Sequence, residues 1–344
     1  SGEPGSDAAT VFVRGQGTWN NSAPLIQVDG VERSMSDIDP EEIESITVLK
    51  DASATAVFGV RGANGVVLIT TKRGEEGKPK IDVSTSFSAL TPTKIVEMAD
   101  SYQYATFHNQ MRKNDETAPQ FGEDILEKFR TGSDPIRFPS IRWTDYLMKN
   151  STLQTKSNLN ISGGTKSVRY FVSLGLMTQG GLFKEFNYDE NFDYSYKRFN
   201  YRANLDIDVT PTTTVTFNVS GIVSNDNKPR TGQGASGMIR NMMQSTPFNA
   251  AGIIDDRMVY TALDYTDLTL PFRSPQDPME YLRQGSSNTN LNKLQSDLQV
   301  TQKLDFVTPG LSFRLKGSYN SWFNSSKDVT LARASYSPVL QEDN

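Results

Sequence analysis

The chain has 344 residues, a formal net charge of −5, one histidine and no cysteine. So mild a negative charge argues against a nucleic-acid partner, and without cysteine there is neither a disulfide nor a thiolate metal site. No window approaches about 18 consecutive apolar residues, which excludes a membrane-spanning helix but not a β-barrel, whose hydrophobicity is hidden in alternation.

The chain opens at Ser1 with neither a basic n-region nor an apolar h-region, so no targeting segment is legible, and it reads as a piece of a longer mature protein. Val11–Arg14 is a short strand candidate. Gly15–Asn21 follows as a loop in which Trp19, Asn20 and Asn21 set an aromatic ring beside amides, a combination that suits sugars and also suits packing. Leu25–Val28 is an apolar strand ending at the turn dipeptide Asp29-Gly30. Asp39 caps a short helix with Pro40 at its first position and Glu41 and Glu42 in the first turn, where the helix dipole favours anions. Ser45–Leu49 is a second strand. Asp51 caps a second short helix that Gly59 stops, and after Gly62 the Asn64-Gly65 turn leads into a third strand, Val66–Thr70.

These residues also carry a resemblance. VDGVE, IDPEEIESITVLKDASATAVFG and GANGVVLITTKRG resemble the plug signature of SusC/RagA-type TonB-dependent outer-membrane transporters. The resemblance implies that Asp29, Gly30, Asp51, Gly59, Gly62, Asn64 and Gly65 are structural signature positions. It also implies that the loop bearing Trp19, Asn20 and Asn21 faces a lumen and contacts substrate.

After the charged linker Glu75–Pro79 strict alternation begins: Ile81, Val83, Thr85, Phe87 and Ala89 share one face, and Asp82, Ser84, Ser86 and Ser88 the other. Residues 90–149 interrupt it with two helical segments. Met98–Lys113 has Tyr104, Phe107 and Met111 at helical spacing, and Phe121–Arg130 closes at Gly132. His108 lies on the first and, with no cysteine or second histidine, reads as a packing residue rather than a zinc ligand.

From Leu153 the alternation returns. Val168, Tyr170, Val172, Leu174 and Leu176 oppose Arg169, Ser173 and Gly175, with Phe171 the exception. Tyr201, Ala203, Leu205, Ile207 and Val209 oppose Arg202, Asn204, Asp206 and Asp208. Further strands follow around Val215–Val219, Leu294–Val300 and Leu311–Tyr319. The strands reach membrane-spanning length, and their polar face carries Arg, Lys and Asp mid-strand, which fits a wide, wet lumen better than a sandwich. Aromatics near strand ends (Tyr194, Tyr196, Phe199, Tyr201; Tyr319, Trp322, Phe323) suggest interface girdles. Thr210–Thr212 is a tight turn, expected on the periplasmic side, whereas the polar segments 179–197 and 225–290 are expected outside the cell.

Other chemistry finds little support. Gly232–Gly237 matches G-x-G-x-x-G but follows a polar loop rather than a strand, so dinucleotide binding is rejected in favour of a flexible loop. Glu185, Asn187, Asp189, Glu190 and Asp193 could offer oxygens to calcium but read as a solvated acidic loop. The carboxylate pairs Asp37/Asp39 and Glu41/Glu42 could suggest glycoside hydrolysis, yet capping and plug-surface roles account for them. No catalytic residue, metal or cofactor is assigned.

The reading is therefore a mainly β protein: a small α+β plug, residues 1–78, inside a transmembrane antiparallel barrel. Residues 79–344 supply seven of the barrel strands. The family closes about 22 strands, so this is about a third of such a wall. The resemblance implies import of oligosaccharides, or less often oligopeptides, across the outer membrane of a Bacteroidota-type bacterium. It implies a SusD-like surface lipoprotein partner and a dimer of transporter–lipoprotein pairs. Energy would come from the TonB–ExbB–ExbD complex, through an N-terminal box not seen in this sequence. A glycan-binding surface β-protein is the alternative from another class, and a two-carboxylate hydrolase a third.

Overall fold

The computed structural model describes residues 3–5, 11–13, 23–50, 56–186, 193–261, 270 and 274–338. Trp19, Asn20, Asn21 and Asp51, with Asn187, Asp189 and Glu190 of the acidic loop, lie outside them.

Four short strands form the first sheet: β1 (Leu25–Val28), β2 (Val31–Glu32), β3 (Ile43–Leu49) and β4 (Val66–Thr71), in the order β2-β1-β4-β3. β1 and β4 run parallel, and the other pairs are antiparallel. Its core is Val28 of β1 and Val67 and Ile69 of β4, joined by Ile38 from the connection between β2 and β3. Asp29 and Gly30 make the β1–β2 turn with positive φ of 49° and 82°. The Asp29 carboxylate also accepts from the Thr71 backbone N–H (3.0 Å) and hydroxyl (2.7 Å), tying the turn to the end of β4. The expected helix at Pro40 is a single 3-10 turn, Pro40–Glu42, and Asp39 caps it by accepting from the Glu41 N–H at 3.0 Å. At Gly65, φ is 95° and a Cβ would meet Val13 at 2.6 Å, so glycine is required there twice over.

The second sheet has seven antiparallel strands, each hydrogen-bonded to the next in the chain: β5 (Gly77–Leu90), β6 (Thr152–Gly164), β7 (Val168–Gly180), β8 (Ser195–Thr210), β9 (Thr213–Pro229), β12 (Gly285–Lys303) and β13 (Ser312–Thr330). One face turns Ile81, Val83, Phe87, Leu176, Val209, Leu298 and Leu315 outward, all exposed. The other face holds Asn200, Arg202, Asn204, Asn218, Ser220 and Asp297, all buried under the first sheet. A two-residue side-chain period sorts the sequence between these environments. The polar face therefore does not meet open water across its middle, as a wet lumen would have it. A side chain such as Arg202 is buried there because the first sheet supplies it with a partner.

The strand ends divide sharply. At one end β6–β7 and β8–β9 are joined by turns of a few residues, and β12–β13 by a short loop. At the other end stand the three long connections, 91–151, 181–194 and 230–284. These fold together. In the first connection lie α1 (Ser101–Asn114), α2 (Glu123–Thr131) and α3 (Trp143–Leu147). In the third lie α4 (Gly234–Gln244) and a hairpin of β10 (Ala250–Ile254) and β11 (Arg257–Tyr260), to which β14 (Ser335–Tyr336) adds a parallel strand. One core joins Phe121, Ile125, Phe129 and Phe138 to Phe248. A second joins Trp143 and Leu147 to Phe183, Met242, Met258 and Tyr281. Trp143 Nε1 donates to the Thr246 carbonyl at 2.8 Å, and the Ile141 N–H donates to the Pro247 carbonyl at 2.8 Å.

Several expectations are corrected here. The segment 225–290 is not a polar loop: 225–229 and 285–290 extend the strands, and the rest has a helix, a hairpin and an apolar core. Gly232–Gly237 is not a flexible loop, because Gly234 opens α4. On α1 the predicted apolar face is met only at Tyr104, which packs edge-on to Phe248. Phe107 and Met111 are exposed while Ser101 and Ala105 are buried, because the partner surface, centred on Phe248 and Phe121, meets the Tyr104–His108 side. His108 packs on Tyr104 and edge-on to Phe121, as expected of a packing histidine. Of the supposed girdle, Phe199, Tyr319 and Phe323 are exposed on the outer face, but Tyr194 is buried in the core that the long connections share. Trp322 pairs with Lys293 on the inner face.

Candidate functional site at the seam between the two sheets

The functional geometry lies where the small sheet meets the inner face of the large one. Alternation places every second residue of β8 against the small sheet, and four in succession engage it. Asn200 Nδ2 donates to Asp39 (3.4 Å) and Arg202 Nε to Glu42 (2.7 Å). Asn204 Nδ2 reaches the Thr71 hydroxyl (2.9 Å) and the Lys72 carbonyl (2.8 Å), and Asp206 accepts from Arg73 (3.1 Å). Arg73 also donates to Asn218 on β9 at 3.2 Å.

β12 and β13 repeat the device. Lys293 Nζ donates to Asp37 at 2.7 Å, and Arg33 Nη2 donates to Asp297 at 2.7 Å, where Ser318 of β13 donates to the same oxygen. Lys316 donates to the Asp29 carbonyl. Charge complementarity runs both ways across the seam: Asp37 and Glu42 meet Lys293 and Arg202 of the strands, while Arg33 and Arg73 meet Asp297 and Asp206.

Two of these ion pairs are fully desolvated. The Arg202–Glu42 side chains are 0% and 3% exposed, and those of Arg33–Asp297 are 2% and 1% exposed. Burial pushes the Glu42 carboxyl above its ordinary range while the Arg202 guanidinium pulls the other way. Burial likewise lowers the Arg33 guanidinium, against the opposing pull of Asp297. Hydrogen bonding is incomplete: Arg202 Nη1 and Nη2, Arg33 Nε and Asp297 Oδ2 are buried without a protein partner. A buried pair so incompletely satisfied contributes little net stability, since desolvation roughly offsets the attraction. The seam fixes register and orientation more than it binds.

Of the carboxylates that could have suggested hydrolysis, Asp37 is bound to Lys293, Asp39 to the Glu41 N–H and Asn200, and Glu42 to Arg202, while Glu41 is exposed. Asp193 is not part of a solvated acidic loop. It is buried, bonded to Lys149 (2.7 Å) and to the Phe183 (3.2 Å) and Tyr194 (2.7 Å) N–H groups. Among the described residues no cluster of His, Cys, Asp or Glu could hold a metal ion. Of the signature positions, Asp29, Gly30, Gly59, Gly62, Asn64 and Gly65 all lie within the small sheet and its turns. Sequence reasoning missed Arg202, Asp297, Arg33 and Lys293 as seam residues. The available signal was, for Arg202 and Lys293, a basic residue in mid-strand on the polar face against the run of acids in the plug, and for Asp297 an aspartate there against Arg33.

Residues 1–66 match the model of the TonB-dependent receptor plug domain. TonB-dependent receptor P3 of Formosa agariphila is 32% identical over 222 residues, 64% of this chain and 19% of the relative. Over these residues the chain is similar to the SusC-like TonB-dependent receptors. TonB-dependent receptor SusC of Bacteroides thetaiotaomicron is 31% identical over 216 residues, 59% of this chain and 19% of that protein. This chain therefore spans about a fifth of the length of these curated relatives. By fold it is similar to the structure of the RagAB peptide transporter (TM-score 0.62, 21% identity, 89% of this chain and 35% of that one). It is similar as well to the RagAB peptide importer in its open-open state (TM-score 0.60, 21% identity, 93% and 36%). The small sheet is thus the plug, and the seven strands are part of a barrel wall that is not closed within this chain.

Proposed function

We propose that the protein is an outer-membrane importer that takes up oligomeric nutrients through a barrel gated by its plug. The plug would comprise residues 1–78 and the wall residues 79–344. The observation that carries this is the seam: a plug held to its wall by charged and amide side chains, with the wall's outer face apolar and exposed. An apolar plug–wall contact would be costly to open in water. Charges at a polar seam regain hydration when water enters, so this plug can be displaced at modest cost. The exposed leucines and valines on the other face suit lipid. Energy would come from a TonB–ExbB–ExbD complex pulling on the plug's N-terminal side.

A surface lipoprotein of the SusD type is the partner proposed, seated over the cap built from the three long connections, and two such pairs would assemble. The Bacteroides and Formosa relatives support a Bacteroidota-type outer membrane. Oligosaccharides are the substrate class that the SusC resemblance favours. Oligopeptides are the second reading, favoured by the fold likeness to the RagAB peptide transporter.

The test is uptake by a strain deleted for the full-length gene, on a panel of purified glycans and peptides, with and without a working TonB. Loss of uptake of one compound on either deletion supports energised import. Full uptake of every compound in the TonB-deficient strain contradicts it.

A further inference from the structure

The outer face of the wall changes chemistry at one level, and the strand register fixes where. Leu176, Phe199, Val223 and Phe323 lie in one row across β7, β8, β9 and β13, interrupted by Asn292 of β12. From this row toward the short turns the outward residues are predominantly apolar, down to the row of Val168, Ile207, Val215, Val300 and Leu315. That span is roughly 26 Å of strand and, at the tilt of a barrel wall, roughly 20 Å of height, close to that of a lipid-facing band. One row nearer the cap, Lys197, Asn225, Asn290 and Ser325 stand side by side, and the next row has Asn288 and Lys327. Among the described residues of these five strands, Lys197 and Lys327 are the only charged residues on the outer face. Both are exposed, and no acid on that face can pair with them. The short-turn edge has no such belt, ending on Thr213, Gln302 and Phe313.

We infer that this belt of lysines and asparagines binds the head group of a phosphorylated, glucosamine-based glycolipid of the outer leaflet. The inference rests on the membrane placement in the import reading above. The surface divides as such a lipid does. Acyl chains take the apolar rows, phosphate takes the two ammonium groups through charge-assisted hydrogen bonds, and sugar hydroxyls and amides take the asparagines. Asparagine is depleted in strands, so forming the sheet does not explain this group of them. Their amides order one another: Asn225 Nδ2 donates to Asn288 (2.7 Å) and Asn290 (2.8 Å), and Asn288 Nδ2 donates back to Asn225 at 3.2 Å. Asn290 and Asn292 are exposed, which leaves amide groups open to a ligand beside the lysines. A lipid with phosphate but no sugar would use the lysines and leave the amides idle. A protein partner would need an apolar centre at the contact, whereas the outward residues at this level are polar.

The test uses the full-length protein purified in detergent, with lipid binding read by native mass spectrometry. The probes are monophosphoryl lipid A, the same lipid stripped of phosphate, and phosphatidylglycerol. The parent should hold monophosphoryl lipid A about tenfold more tightly than either of the others. Lys197→Gln/Lys327→Gln should erase the preference over the stripped form, and Asn290→Ala/Asn292→Ala the preference over phosphatidylglycerol. All four positions are exposed, so both variants should keep the parent's unfolding temperature. Equal binding of the three probes by the parent, or either preference surviving in its variant, overturns the assignment. Unchanged lipid binding with an oligomer split by the lysine changes would make the belt a protein contact and overturn it as well. Binding to purified protein needs no proton gradient, so a failure of energised import would leave a positive result standing. Loss of the lipid preferences in a protein that still requires detergent would sink the belt alone. Recovery of the full-length protein in buffer without detergent would overturn the membrane placement and the belt together.

Discussion

Arg202 of the barrel wall and Glu42 of the plug meet at 2.7 Å across 160 positions of sequence, with neither side chain appreciably exposed. Removing one partner strands the other charge in a dry place, which costs about 3–5 kcal/mol, whereas replacing both by well-packed apolar residues is close to neutral. Glu42→Ala and Arg202→Ala should therefore each accelerate hydrogen exchange of the β3–β4 amides by orders of magnitude. The double variant Glu42→Leu/Arg202→Met should exchange nearly as the parent does. Additive effects of the single changes would mean that the two groups do not meet.

Leu205 and Asp206 are neighbours on opposite faces of β8, with Leu205 turned outward and Asp206 bonded to Arg73 and to the Thr216 hydroxyl. Leu205→Arg should cost roughly 2–4 kcal/mol if it sits near the bilayer midplane. Asp206→Asn weakens one partly exposed ion pair and should cost about 1 kcal/mol or less. Refolding into lipid vesicles with a denaturant titration reads both. The reverse ranking would invert the faces of the wall.

Asp193 links two of the long connections, and its pH behaviour follows from burial. Burial raises its pKa, against the opposing pull of Lys149 and two backbone N–H groups. A carboxyl raised in the folded state contributes stability that is fully present below its unfolded pKa and is lost as pH rises through the folded value. The cap should thus lose stability as pH climbs from about 4 toward that raised value, and the slope should disappear in Asp193→Asn. The comparison is the pH dependence of amide exchange in 181–186 and 193–194 for the two proteins. A slope of opposite sign in the parent contradicts the burial argument.

Gly74 joins plug to wall where its Cα lies so close to the Tyr170 backbone that a Cβ would overlap it. Main chain cannot swing aside as a side-chain tip does, so Gly74→Val should cost about 1–3 kcal/mol as an overpacked contact. It should appear as a lowered unfolding temperature of the purified protein. A parent-like temperature would place the two segments further apart.

How much of this was legible in the sequence depended on how local the physics was. The seven strands and their facing followed from a two-residue period that survives because each face meets a different environment, as at Leu205 and Asp206. The turns at Asp29-Gly30 and Asn64-Gly65 followed from backbone conformations that few residues adopt. What was not legible was partnership at a distance. Nothing near Arg202 says that Glu42 covers it, and the polar face was read as facing water. The cap was missed for the same reason: Trp143, Phe183 and Met258 share a core, but no period links segments that lie 40 residues or more apart. Phe107 and Met111 gave a fair helical stripe on α1, yet the surface available to pack against lay on the Ala105 side.

Under the proposed import function, the plug parts from the wall along this seam during transport. The chain contains no cysteine, so Thr71→Cys with Asn204→Cys introduces two unique thiols at positions where the parent side chains approach to 2.9 Å. The measurement is uptake by cells carrying this pair in an otherwise cysteine-free full-length protein, before and after bridging by a short bifunctional thiol reagent that a reductant can cleave. Bridging should stop uptake, and reduction should restore it. Undiminished uptake with the bridge quantitatively formed would show that the seam stays closed during transport and that the plug is not displaced along it.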